Sequence, residues 1–74
     1  MADEMVRFEI GFRGGGSTGG VVPEAEWSKL DAALRDGTPT TVDLQGPDQR
    51  WLVRSDEVAW ARRHQGGRRL GFTG

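Results

Sequence analysis

The sequence predicts an α+β fold, in which one amphipathic helix packs against a sheet of three or four mainly antiparallel strands. Three observations support this fold class. Apolar residues alternate with other residues over 5–12, they recur at helical spacing over 23–36, and two further alternating stretches, 41–45 and 50–54, flank a turn sequence. Each pattern places the apolar side chains on one side of its helix or strand. A chain of 74 residues has room for a single hydrophobic core against which these sides can pack.

The first strand is predicted at 5–12, where the sequence MVRFEIGF has a period of two. The apolar positions are Val6, Phe8, Ile10 and Phe12. We expect these four side chains to turn inward together against the helix. The intervening positions would then form a face that is open to water or to a partner.

The stretch RGGGSTGG at 13–20 matches two catalytic motifs at once. Its glycines fit the G-x-G-x-x-G phosphate cradle, and Ser17 takes the nucleophile position of G-x-S-x-G. Both motifs lead into a helix, whereas Pro23 favours an extended chain just before it, over 20–22, where a short second strand is one alternative. We therefore expect a flexible loop between extended segments and neither chemistry, with nucleotide or phosphate binding by the glycine-rich loop as an alternative.

A helix is predicted at 23–36. Its apolar stripe consists of Trp27, Leu30, Ala33 and Leu34, at spacings of three and four. Pro23 is typical of a first turn, and Gly37 is typical of the residue that follows a helix. Asp31 and Arg35 are spaced to form an ion pair on the exposed side.

A hairpin is predicted from the strands 41–45 and 50–54, because the residues between them include the turn sequence GPD. The alternating residues over 57–62 then predict a last strand. A short helix remains open there, since Ser55 could cap it and the alanines in the stretch favour it. Trp51 and Trp60 lie on these predicted strands, where each ring could close the core or contact a partner.

Composition excludes several classes of protein. The chain contains no cysteine and one histidine, His64, so disulfides, thiolate zinc sites and cysteine nucleophiles are excluded. Apolar runs are too short to span a membrane, and the start MADEM is unlike a signal peptide, so we expect a cytoplasmic protein without metal or cofactor. Nine arginines against one lysine are typical of a GC-rich bacterial or phage genome.

The charges are unevenly distributed, although the net charge is only −1. We expect one domain at 1–64, followed by a flexible basic tail rich in glycine and arginine at 65–74. The arginines near this end could neutralise phosphates in a nucleic-acid complex. The candidate contacts are Arg62, Arg63, Arg68 and Arg69.

The sequence favours an interaction module over an enzyme, because a domain of this size has little volume for a catalytic pocket. An antiparallel sheet with one covered side leaves a face and two edges free, and a small core gains stability from association. We therefore expect protein binding through the open face or an edge, with a homodimer as one form. The candidate surface consists of Arg7, Arg13, Arg50, Leu52, Arg54 and Trp60.

Overall fold

A computed structural model of the chain describes residues 4–64. Residues 4–64 form five strands, one α-helix and one short 3₁₀ turn. In order, the elements are β1 (Met5–Phe12), β2 (Ser17–Pro23), α1 (Glu24–Asp36), β3 (Thr41–Gln45), β4 (Arg50–Arg54), the 3₁₀ turn (Ser55–Glu57) and β5 (Val58–Arg63). The α+β fold class is therefore confirmed.

The five strands form two antiparallel sheets. Strand β1 lies at the centre of a three-stranded sheet in the order β2-β1-β5, and β3 pairs only with β4 in a hairpin. In the first sheet Phe8 faces Gly20 on β2 and Arg63 on β5. Among the described residues, the helix and the hairpin cover one side of this sheet and leave its other side open.

The core lies between the three-stranded sheet on one side and the helix and hairpin on the other. Its buried side chains are Val6, Phe8, Ile10, Val22, Leu30, Val42, Leu44, Val53 and Val58. Phe12, Trp27, Leu34, Trp51 and Ala61 pack around this cluster while remaining partly accessible. The prediction that the apolar residues of β1 turn inward together against the helix is thus confirmed.

The structure has one strand more than the prediction allowed. The stretch 17–20 was expected to belong to a flexible loop, but it forms the first half of β2 and pairs with β1. Only 13–16 is a turn, and it closes the β1–β2 hairpin through hydrogen bonds from Phe12 N–H to Gly16 and from Gly15 N–H to Phe12. Gly15 and Gly16 have φ of 100° and 85°, which L side chains rarely adopt. Gly15 and Gly16 therefore allow the tight turn of the β1–β2 hairpin.

The other elements lie close to their predicted bounds. The helix starts one residue later than predicted, because Pro23 is extended, with φ −60° and ψ 151°. The open question at 57–62 is settled in favour of a strand, and Ser55 begins the 3₁₀ turn before it. Asp31 and Arg35 form the expected ion pair at 2.7 Å. The predicted tail at 65–74 lies outside the described residues.

Two strand glycines each lie beneath a tryptophan ring. Gly11 faces Trp60 across β1 and β5, and a Cβ atom on Gly11 would collide with that ring. A Cβ atom on Gly20 would come within 2.5 Å of Trp51 Cζ2, whose ring crosses from the hairpin to β2. Glycine in a strand usually weakens it, but here it admits a large ring at close range. The glycines of β1 and β2 thus position both tryptophans.

Because Trp51 is held between Gly20 and Phe8, we expect Gly20→Ala to reduce the free energy of unfolding by about 1–3 kcal/mol, the range of an overpacked core. Gly14→Ala is the matched control, since nothing lies within 4 Å of the Cβ position there. Urea denaturation of both variants measures the difference. Equal stability of the two variants would contradict the role assigned to Gly20.

Candidate interaction surface

The residues of the candidate surface do not form one face, because the strands that carry them belong to different sheets. Arg7 and Trp60 lie on the outer side of the three-stranded sheet. Leu52, with Arg50 and Arg54, lies on the outer side of the β3–β4 hairpin. Both sides point away from the same core, so the candidate surface divides into two separate surfaces.

We call the outer side of the three-stranded sheet the open face. It includes Met5, Arg7, Glu9, Gly11, Ser17, Gly19, Val21, Trp60 and Arg62. A shallow groove of about 510 Å³ crosses this face. Its lining includes Gly19, which has no side chain, and the polar side chains of Arg7, Arg62 and His64. The open face is therefore grooved and also carries exposed side chains.

Trp60 is the main apolar group of the open face. Its side chain remains 46% exposed although its ring covers Gly11. The guanidinium of Arg62 lies 5.7 Å from the ring centroid, within reach of a cation–π contact. Arg62 also binds Glu9 across the strands, with its Nη2 atom 2.6 Å from Oε1. A rigid, half-exposed ring with adjacent polar groups is typical of a binding hot spot.

The second surface, on the β3–β4 hairpin, contains an apolar residue that is more exposed than Trp60. Its charges are mostly neutralised by ion pairs. Leu52 is 66% exposed and stands opposite Asp43. Arg50 donates two hydrogen bonds to Asp43, at 3.0 and 2.9 Å. These bonds, with the charge of Arg50, lower the pKa of Asp43. Leu52 is thus an isolated apolar residue among paired charges, which is common on protein surfaces.

Arg13 belongs to neither surface. It lies in the turn after β1, and its Nε atom donates a hydrogen bond of 2.8 Å to the carbonyl of Asp56. Its backbone N–H donates to the carbonyl of Glu57 at 2.9 Å. Arg13 therefore fastens the β1–β2 turn to the start of β5.

The candidate nucleic-acid contacts within the described residues are both engaged in ion pairs. Arg62 binds Glu9, and Arg63 binds Glu24 at the start of α1, with Nη1 2.9 Å from Oε2. The other two candidates, Arg68 and Arg69, lie outside the described residues. The charge on this part of β5 is therefore largely balanced by carboxylates of the same chain.

Ser17 and the glycines around it do not have the surroundings that either catalytic motif requires. Ser17 begins a strand, and the segment that follows the turn is extended over seven residues before the helix starts. A phosphate cradle and a nucleophile elbow both need the glycine turn to open directly into a helix. The matches are therefore a consequence of a glycine-rich hairpin.

A second cleft lies beside β5, between the strand and the C-terminal half of α1. It measures about 340 Å³ and is lined by Ala33, Leu34, Asp56, Val58, Ala59 and Trp60. No sequence pattern predicted this cleft. The signal that could have indicated it is the pair of small residues Ala33 and Ala59, which leave space where helix and strand diverge.

Residues 4–64 contain neither a group of side chains arranged to hold a metal ion nor a helix able to cross a membrane. Within 4–64, no group of three or more histidine, cysteine or carboxylate residues is arranged to hold a metal ion. The helix of this region is also neither long nor apolar enough to cross a membrane.

Comparison of the chain with protein-family models, with curated proteins and with solved structures yields no match. The geometry described above is therefore the basis for assigning a function.

The ion pair between Glu24 and Arg63 should make stability depend on pH. The hydrogen bond from Arg63, with its positive charge, holds the pKa of Glu24 below its ordinary value of 4.5. A lowered folded-state pKa stabilises the protein above pH 4.5, and the effect is lost as pH falls through that lowered pKa. We expect Glu24→Gln to be less stable than the wild type at pH 7, with the difference closing in acid.

Thermal unfolding of Glu24→Gln between neutral pH and about pH 3 measures this difference. Asp48→Asn is the matched control, because Asp48 has no ion pair among residues 4–64. A constant gap between wild type and Glu24→Gln over the whole range would show that the pair does not contribute.

Proposed function

We propose that the protein is a small cytoplasmic protein-binding module that acts through the open face and the adjoining edge of its three-stranded sheet. The observation that carries the proposal is Trp60, a large ring that is 46% exposed on a rigid sheet face. Tryptophan is enriched among residues that dominate binding energy, and its rigid ring loses little conformational entropy on binding. A cytoplasmic location is in keeping with a sequence that has no cysteine.

The charges around Trp60 favour a protein partner over a nucleic acid. Nucleic-acid affinity depends on unpaired basic groups that can replace counterions on phosphates. On the open face Arg62 is paired with Glu9, and the adjacent Arg63 is paired with Glu24. Charges held in this way contribute mainly to the specificity of a protein contact, by favouring partners with complementary charges.

We expect tagged protein to retain a protein partner from an extract of the source cells, including other copies of the chain, and Trp60→Ser to lose it. Leu52→Ser is the matched control, because Leu52 is the more exposed residue, at 66% against 46%, and lies on the hairpin surface. Nuclease treatment should leave the retained protein in place. Quantitative mass spectrometry of the retained material measures all three effects.

Two outcomes would count against the proposed function. If Leu52→Ser loses the partner and Trp60→Ser keeps it, the contact surface is the hairpin. If nuclease removes everything that the wild type retains, the open face binds nucleic acid, as the alternative from the sequence holds.

A further inference from the structure

Within residues 4–64, the outer edge of β5 has free backbone groups whose positions follow from the pairing with β1. His64 N–H donates to the carbonyl of Arg7 at 2.9 Å, so the residues of β5 that bond to β1 are the even-numbered ones. The N–H and C=O groups of Ala61 and Arg63 must then point to the other side of the strand. Antiparallel strands pair through such groups, so this edge can accept another strand.

The opposite edge of the same sheet is partly closed. The outward groups of β2 belong to Ser17, Gly19 and Val21, by the same reasoning from the bonds that join Phe12 to Gly16. The hairpin turn covers the end of this edge, since a Cβ atom on Gly46 would come within 2.6 Å of the Val21 carbonyl oxygen. Strand addition is therefore favoured at β5.

Trp60 and Arg62 lie on either side of Ala61, and both point to the open face. In an antiparallel pair of β5 strands about Ala61, Trp60 of each copy meets Arg62 of the other copy, and a cation can pack against an aromatic ring. A parallel alignment would instead place each residue beside its own copy. This self-complementary pair identifies a second copy of the chain as a suitable partner.

We infer that two copies of the protein pair antiparallel through the free edge of β5, with Ala61 opposite Ala61 of the second copy on the twofold axis. This inference rests on the proposed function and names the partner and the contact. The two Ala61 residues exchange both backbone hydrogen bonds, and the two sheets join into one sheet of six strands.

Three other registers are disfavoured by particular residues. Moving the axis to Arg62 or to Arg63 places each arginine opposite its own copy. Moving the axis to Trp60 brings Ala59 into the centre of the ladder, where the strand is bulged: Trp60 faces Gly11, but Phe12 faces Val58. The Ala61 register keeps the bulge at the end of the ladder.

In the Ala61 register, Trp60 lies opposite Arg62 of the second copy. This places a cationic side chain next to the exposed ring, in the same combination that Trp60 and Arg62 form within one chain.

Disulfide trapping tests the register, because the chain has no native cysteine. Trp60 and Arg62 of the second copy form a non-hydrogen-bonded pair, with Cα atoms about 4.5 Å apart, a distance suited to a disulfide. We expect a mixture of Trp60→Cys and Arg62→Cys chains to give a covalent heterodimer on mild oxidation. Each variant alone, and the control Leu52→Cys mixed with either, should remain uncrosslinked.

Sedimentation of the full chain provides a second test, which needs no cysteine. The wild type should approach twice 8.1 kDa as its concentration rises. Ala61→Pro should stay monomeric, because it removes an N–H group that the monomer leaves free at a sheet edge. Leu52→Ser should associate as the wild type does, and circular dichroism checks that Ala61→Pro is folded.

The outcomes separate this inference from the proposed function. A wild type that stays monomeric, a dimer unaffected by folded Ala61→Pro, or crosslinking of Trp60→Cys with itself would each overturn the β5 pairing. If a different protein is still retained through Trp60 in those cases, the module stands and only its partner changes. Heterodimer formation by the mixed cysteine variants, with loss of the dimer in Ala61→Pro, would support the pairing.

Discussion

Phe8 is the residue through which the two layers of the molecule are joined. It lies at the middle of the central strand, is 1% exposed, and contacts an aromatic ring from each covering element. Its ring is 6.4 Å from that of Trp27 on the helix and 5.1 Å, edge-on, from that of Trp51 on the hairpin. Such edge-on pairs add to the free energy gained from burial. Because one strand fixes both covering elements, the side of the sheet that stays open is fixed as well.

Local patterns were enough to predict most elements of the fold. The alternation in β1, the helical stripe with its flanking Pro23 and Gly37, and the turn between β3 and β4 each depend on neighbouring residues. The first half of β2 was missed because its glycines have low strand propensity and carry no alternating apolar pattern. What makes them suitable for a strand is distant in sequence: Trp51 is 31 positions after Gly20, and glycine is required where that ring approaches.

The candidate surface was harder to predict than the fold. Trp60 and Leu52 both lie at outward positions in the alternating patterns of their strands. These patterns do not show which strands belong to the same sheet. In the structure the two residues lie on different surfaces. The same holds for the charges. From the sequence, Arg63 is expected to be an unpaired base near the basic end of the chain. In the structure it binds Glu24, 39 positions away. A surface is defined by contacts between distant parts of the chain, which periodicity does not report.

The arrangement of edges bears on whether pairing would stop at two copies. A sheet with two equivalent free edges could add copies indefinitely and form fibres, since head-to-tail contacts do not close. Here the hairpin turn at Gly46 covers the end of the β2 edge, and Pro23 offers no N–H group there. Pairing at β5 about a twofold axis uses the free edge of both copies. In addition, the bulge before Trp60 and the inward-pointing Arg63 keep the ladder short, as expected of an edge protected against unspecific pairing. Within the three-stranded sheet, these features favour a closed dimer over an open assembly.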